Sequence, residues 1–388
     1  MTGSDTPPAD TPPAGAGPAG GPPVAGRLGV MATGGFYDRH SATQGAAADE
    51  GIGLLVGAAA ALDGPDAEQR RVAGPIIVAD LGCAQGHNSL PPLRAAVSAL
   101  RARTAGPISV VHTDLPGNDW ATLFEVIEHD AGSYLAGATE VYPSVVGRSF
   151  YGRLFAPGTL ALAWSSSALH WLSRSPGPVA DHFFVQSSTD EEAKRAYRDR
   201  SAADWSAFLE HRAVELVPGG SVVLVDVLMT DDHGMGAEAL FDCLEQALRA
   251  AWGRGDITAT EYAAIAYPTW FRSSDELRAP FVPHFTAAGG QVLVLDVLRP
   301  ATLADPFRAD LDAGAIDGYG RAQAGFLAGF LRSSFRTALP DRPDRDAVGV
   351  LDAIFADAAT RIAQAARADP QRLSPEYRLV VGRISRRS

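Results

Sequence analysis

The stretch IIVADLGCAQGHNS, residues 76–89, constrains the fold more than any other part of the chain. Its four apolar residues Ile76-Ile77-Val78-Ala79 lead into Asp80, and such a run before a turn predicts a strand buried on both faces, as in the centre of a parallel sheet. In the turn that follows, Gly82 and Gly86 stand four apart. Glycine permits a tight bend there and lets backbone approach a ligand with no Cβ in the way. Asn88 or Ser89 can then cap the helix that Pro91 opens, since proline is tolerated in a first turn. Strand, glycine turn and helix in that order predict an α/β protein.

A dinucleotide site built on this plan would use G-x-G-x-x-G, so that bare backbone cradles a pyrophosphate at a helix N-terminus. The spacing here is G-x-x-x-G, which leaves one glycine role unfilled. Asp80, at the end of the strand, would repel a phosphate and attract a cation. A ligand with an ammonium group and no phosphate fits better, and S-adenosylmethionine is such a ligand. On this stretch alone an ordinary βα turn remains open.

The 388 residues suit one core domain with large insertions, or two domains. With 33 basic against 45 acidic residues the net charge is −12. That argues against nucleic acid or an anionic membrane as the main partner, because phosphate binding needs clustered Lys and Arg. No apolar run is long enough to predict a transmembrane helix. Cys83 and Cys243 are too few for a disulfide framework or a zinc site, so a reducing cytoplasm, unbridged cysteines and no metal are expected. Residues 1–28 consist mainly of Pro, Gly, Ala and Thr, do not form a signal peptide, and are expected to be disordered. A natural start at Met31 is expected, with the tail before it dispensable.

The remaining strands are predicted at Ile108–Thr113, Val141–Val146, Thr159–Trp164, Val222–Leu228, Gln291–Leu298 and Tyr377–Ser385. One helix is predicted from Gln44 to Leu62, and the polar segment before it is either a surface connector or a lid across the strand ends. Asp114, at the tip of the second strand, is either a turn residue before Pro116 or a partner for ribose hydroxyls. Ser149 and Phe150 follow the third strand and suit an adenine ring; Tyr151 and Phe155 read as core. His170 and Trp171 follow the fourth strand, where an imidazole, an indole N–H and aromatic walls can meet a substrate, or where both can be plain core. Helical inserts near 176–215, 229–289 and 301–375 are large enough to cap the carboxyl edge of the sheet. Phe241, Tyr267, Trp270 and Phe271 are candidates for an acceptor wall, with core packing the simpler expectation. His112, His129, His233 and Asp231-Asp232 read as surface or packing residues.

Several of these stretches, in order, resemble the SABATH methyltransferases, the salicylate, benzoate, jasmonate and caffeine-type enzymes. Met31-Ala32-Thr33-Gly34-Gly35 is similar to their Met-x-x-Gly-Gly, and Tyr37 to Gln44 to Tyr-Ala-x-Asn-Ser-x-x-Gln, with His40 where Asn is usual. Asp80 to Ser89 resembles Asp-Leu-Gly-Cys-Ser-x-Gly-Pro-Asn-Thr with His87 for Pro, and Asp114 to Trp120 resembles Asp-Leu-Pro-x-Asn-Asp-Phe. Gly147 to Phe155 resembles Gly-Ser-Phe-Tyr-x-Arg-Leu-Phe with Arg148 inserted, and Ser165 to Ser173 resembles Ser-Ser-Tyr-Ser-Leu-His-Trp-Leu-Ser. The similarity spans about residues 31–385 and is looser in the last third.

The resemblance implies a class I methyltransferase: a Rossmann-like sheet of seven strands with a helical cap, over residues 29–385. It implies methyl transfer from S-adenosylmethionine to the carboxylate of a small acid, aromatic or isoprenoid by default, with S-adenosylhomocysteine as product, by a cytoplasmic homodimer. Tyr37, Ser41, Asp80, Gly82, Gly86, Asn88, Asp114, Leu115, Ser149, Phe150 and Ser165 would hold the cofactor. Gln44 and Trp171 would hydrogen-bond the substrate carboxylate, and His170 would line the pocket beside them. The alternatives are N-methylation of a heterocycle and, from another class, a partner protein that binds S-adenosylmethionine without catalysis.

Overall fold

The computed structural model describes residues 30–62, 74–231, 234–373 and 375–387. The tail 1–28, Asp232 and His233, about which the sequence carried expectations, lie outside them. Eight strands form one sheet: β1 Ile76–Leu81, β2 Ile108–Asp114, β3 Val141–Gly147, β4 Leu160–Ser166, β5 Leu216–Val227, β6 Phe285–Thr286, β7 Val292–Ala304 and β8 Glu376–Arg386. Their order is β3-β2-β1-β4-β5-β8-β7-β6. The first five pair in parallel, β8 inserts antiparallel between β5 and β7, and the two-residue β6 adds a hairpin edge to β7. The seven strands expected are all present, and β6 is the addition.

Alternate residues of the central strands serve two cores, as the period of two requires. Val78, Val110, Leu162, Trp164, Val223 and Val225 face one core. Ala79, Leu81, Val111, Ala163, Val222 and Leu224 face the other. Each Val or Leu so buried stabilises the fold by about 1.5–3 kcal/mol. A one-residue slip would exchange the two sets, so the register, and with it the alignment of the strands' carboxyl ends, is strongly specified.

The helices around the sheet begin with α1 Phe36–Arg39, α2 Ala42–Asp49, α3 Ile52–Ala61, α4 Leu90–Arg101 and α5 Trp120–His129. They continue with α6 Glu191–Glu215, α7 Glu238–Arg254, α8 Ile316–Ala338 and α9 Ala347–Ala368. The single helix expected over 44–62 is two, α2 and α3, broken at Glu50-Gly51. A Cβ at Gly51 would lie 2.6 Å from Val225 Cγ2 and 2.7 Å from the Trp164 ring, so the backbone itself packs on the sheet at the break.

Helix α9 packs on both α7 and α8 above the sheet, and the three share its first core. The insert near 176–215 follows the expectation of a cap only in its first part, where Phe183 and Phe184 pack on Phe241. Its helix α6 lies on the opposite face, because Trp205, Phe208, Leu209 and Ala213 pack with Leu160, Val222 and Leu224. The N-terminal segment crosses the strand ends between turn and cap. Gln85 donates to Ala32 O at 2.7 Å and accepts from Asp38 N at 3.2 Å, and Gly34 N donates to Asp119 at 2.8 Å. Ala32 N in turn donates to Gly329 O on α8 at 3.1 Å. Of the two readings of this segment, the structure has the one that spans the strand ends.

Candidate active site

The carboxyl ends of β1, β2 and β4 open onto a cavity of about 720 Å³ lined by Gly82, Ala84, Asp114, Leu115, Ser149, Phe150, Ser166 and Trp171 among others. A narrower one of about 320 Å³ continues along the glycine turn past Gly86 and Asn88 to Asp38 and Gln44. Gly82 makes the floor possible. Its φ is 85°, and a Cβ there would lie 2.5 Å from the Ala168 side chain and 3.4 Å from the Phe150 ring. Ala84 and Ser167, which also line these walls, hold left-handed backbone at φ 47° and 52°. Strain of that kind persists where surrounding structure over-determines it, and it concentrates at functional sites.

Asp114 is fixed by two backbone N–H donors, Ala84 to Oδ2 at 2.8 Å and Leu115 to Oδ1 at 2.7 Å. Burial outweighs them and, helped by the nearby charge of Asp80, pushes its pKa up to about 6. In the broad cavity a Ser166 hydroxyl, and in the narrow one an Asp38 Oδ1, are buried with no protein partner. The loop bearing Ser149 and Phe150 is held from α6: Arg212 donates to Phe150 O at 2.9 Å and Gly152 O at 3.0 Å. Glu215 accepts from Leu154 N at 2.6 Å and Phe155 N at 3.2 Å. These two charges pair at 2.7 Å with both side chains fully buried.

A third cavity, of about 640 Å³, lies between the sheet and the cap. Its walls are largely aromatic and aliphatic, from Trp171, Val227, Phe241, Tyr267, Phe271, Leu303, Phe326, Phe330 and Tyr377, and among the described residues no Lys, Arg, Asp or Glu lines it. The Gln44 side-chain oxygen and the hydroxyls of Thr43 and Tyr377 are buried without a hydrogen-bond partner. His170 is oriented by Asp226, 2.5 Å from Nδ1, which leaves Nε2 toward Tyr267 OH at 3.3 Å. Met31, Tyr37, Ser167 and Trp171 line both this cavity and the broad one, so the two meet there.

Most of the residues expected at the site are therefore brought together. Gly82, Asp114, Leu115, Ser149 and Phe150 line the broad cavity; Gly86 and Asn88 line the narrow one. Tyr37 lines all three cavities, while Gln44, His170 and Trp171 line the apolar one. Ser41, Asp80 and Ser165 line none of these three cavities, and each is buried with its side chain bonded within the protein. Ser41 Oγ accepts from Asn88 at 2.8 Å and donates to Asp38 O at 3.2 Å. Ser165 Oγ donates to Leu81 O at 3.0 Å and so ties β4 to β1. Asp80 takes the His112 Nδ1 at 2.9 Å, and His112 Nε2 meets Tyr134 OH at 2.8 Å. Asp80, Cys83 and His112 offer ligand atoms within 4.8 Å of one another, but burial raises the thiol's pKa and the imidazole already serves two partners. Cys83 and Cys243 are both free and buried.

Other residues were missed or undervalued in the sequence. Phe241, Tyr267 and Phe271, for which core packing was the simpler reading, line the apolar cavity; Trp270 instead gives its indole N–H to Glu276 at 3.1 Å. Tyr151, read as core, lines the broad cavity and donates toward Trp171 O at 2.7 Å. Arg212, Glu215 and Asp226 carried no signal, since the groups they hold, Phe150, Leu154 and His170, lie 56 or more residues away in the chain.

Residues 33–281 match the family described as SAM dependent carboxyl methyltransferase. The chain is 30% identical over 233 residues to jasmonate O-methyltransferase of Arabidopsis thaliana, a match covering 52% of this chain and 60% of that protein. It is 26% identical over 216 residues to probable caffeine synthase 2 of Camellia sinensis, covering 51% and 59%. It thus spans about 60% of the length of these relatives. Among solved structures, loganic acid methyltransferase with SAH superposes with a TM-score of 0.72 at 18% identity, covering 93% of this chain and 99% of that one. At that identity the likeness shows the fold.

Proposed function

Because the chain belongs to the SAM-dependent carboxyl methyltransferase family, we propose that it transfers a methyl group from S-adenosylmethionine to the carboxylate of a small apolar acid, giving a methyl ester and S-adenosylhomocysteine. The observation that carries this reading is the junction of the cavities at Tyr37, Ser167 and Trp171, with Gln44 on the rim of both the narrow and the apolar one. The broad and narrow cavities fit the cofactor on their own terms. Gly82 leaves a floor that a Cβ would fill, and polar atoms of Ser166 and Asp38 stand buried without partners.

When bound, S-adenosylmethionine supplies an electrophilic methyl on a sulfonium. Gly82, Asp114, Leu115, Ser149 and Phe150 would hold its nucleoside end, and Gly86 and Asn88 the other. A carboxylate is already an anion near neutral pH, so no residue need act as a base toward it. It does need hydrogen bonds, because a charge left bare in an apolar cavity is costly. The Gln44 amide and the Trp171 indole N–H are suited to that role. Both are neutral, so they orient an oxygen without quenching it as a paired Arg would. The surrounding aromatic walls exclude water and hold the acceptor near the junction, which removes much of the entropic cost of encounter. The cytoplasmic homodimer implied by the resemblance is part of the same reading, and light scattering tests the dimer.

The test is a methyl-transfer assay with labelled S-adenosylmethionine over salicylate, benzoate, indole-acetate, fatty, farnesoate-type and xanthine acceptors. Base-labile label on an acid is the expected result. Label that is stable to base on a xanthine would replace this reading with N-methylation, and cofactor binding with no transfer to any acceptor would favour the non-catalytic one.

A further inference from the structure

We infer that Asp38 is the anchor for the α-ammonium group of the methionyl tail, a role for which the sequence pointed to Asp80; the inference rests on the cofactor reading above. The Asp80 carboxylate is turned into the protein toward His112 and lines none of the three cavities. Asp38 lines the narrow cavity, between the glycine turn and Gln44, and neither of the other two. The broad cavity, with Asp114, Ser149 and Phe150, has the groups for a nucleoside, and the reacting centre belongs at the junction near Tyr37 and Trp171. What remains for the narrow cavity is the amino-acid end of the ligand.

The chemistry of Asp38 agrees. Its Oδ1 is out of solvent and has no hydrogen-bond donor, and among the described residues no cation pairs with it. The two nearest basic side chains are engaged elsewhere: Arg39 Nη1 donates to Gly34 O at 3.3 Å, and His87 lies 3.4 Å from Asp130. A carboxylate desolvated with no partner is unfavourable in the ligand-free protein, and here burial pushes its pKa up to about 6 against the opposing pull of His87 and Arg39. An incoming ammonium supplies the missing donor and charge together, which is the stronger class of hydrogen bond. Asp38 also stands where the resembling family has alanine, so this anchor is a feature of this chain.

The experiment is calorimetric titration of the full chain and of Asp38→Asn with three ligands. S-adenosylhomocysteine carries ammonium and carboxylate, decarboxylated S-adenosylmethionine keeps the ammonium alone, and methylthioadenosine lacks both. Asp38→Asn is expected to weaken the first two by about tenfold or more, the size of a lost charge-assisted bond, and to leave methylthioadenosine within about twofold. Unchanged methylthioadenosine binding also shows that the variant is folded. Equal affinities of variant and wild type for all three ligands would overturn the anchor, as would an equal loss for all three, which marks a merely structural role. If the wild type binds methylthioadenosine but gains nothing from the amino-acid end, the anchor fails alone. If it binds none of them, the cofactor reading fails with it.

Discussion

Replacing Arg212 by Met tests how far the broad cavity, the proposed cofactor site, depends on a charge pair that does not line it. Arg212 and Glu215 are both fully buried at 2.7 Å, and desolvation pulls the arginine's pKa down while Glu215 raises it. Removing one member leaves a buried charge uncompensated, which costs about 3–5 kcal/mol. The carbonyls of Phe150 and Gly152 lose their donors as well, adding about 1 kcal/mol each. A loss of roughly 5 kcal/mol is a large share of an ordinary domain's stability. Because the freed loop carries Ser149 and Phe150, affinity for S-adenosylhomocysteine should also fall, by about tenfold. Urea unfolding and calorimetry measure the two effects. The double variant Arg212→Met, Glu215→Gln keeps an acceptor for Leu154 N and Phe155 N but removes the stranded charge, so it should regain much of the loss. An Arg212→Met variant within 1 kcal/mol of wild type, or a double variant no better than the single one, would refute the account.

Gly82→Ala places a Cβ 2.5 Å from Ala168 at a φ of 85°, so a strain of about 1–2 kcal/mol adds to the overlap; S-adenosylhomocysteine titration should show at least tenfold weaker binding. Gln44→Ala and Trp171→Ala should each lower kcat/KM on the accepted acid by about 10²-fold through lost alignment, with much smaller changes in cofactor affinity, and wild-type turnover in the double variant would remove both from the positioning role. Burial pushes the carboxyl pKa values of Asp38 and Asp114 up to about 6 from the ordinary 3.8. The folded, ligand-free chain therefore holds these protons more tightly than the unfolded one: their contribution to stability is complete below about 3.8 and is lost as the pH rises through about 6. A cationic ligand needs the ionised forms, so its affinity should fall as the pH is lowered through that window, and less steeply in Asp38→Asn. Titrations between pH 5 and 7.5 check the sign, with His87, Arg39 and Asp119 acting on Asp38 and Asp80 on Asp114.

The apolar run Ile76-Ile77-Val78-Ala79, the turn from Gly82 to Gly86 and the Asp114 strand tip were legible because each depends on residues adjacent in the chain. A strand buried on both faces, a bend that needs glycine and a carboxylate at a strand end follow from local chemistry, and they mark the mouth of the broad and narrow cavities before any tertiary contact is known. His170 and Trp171 were legible as a pair at the end of the fourth strand and Gln44 by resemblance, and all three line the apolar cavity. What adjacency does not encode is where a buried polar group spends its hydrogen bonds. Asp80 and Asp38 are both aspartates beside the same turn, and only the packing of His112 against one and a narrow cavity against the other separates them. The break at Gly51, the placement of α6 on the face opposite the cap, and the Arg212–Glu215 clamp on the Phe150 loop likewise join residues far apart in sequence. The wall of the apolar cavity shows the same division. Phe241, Tyr267 and Phe271 differ from core aromatics only in that the cap, folded over the strand ends, leaves a cavity beside them.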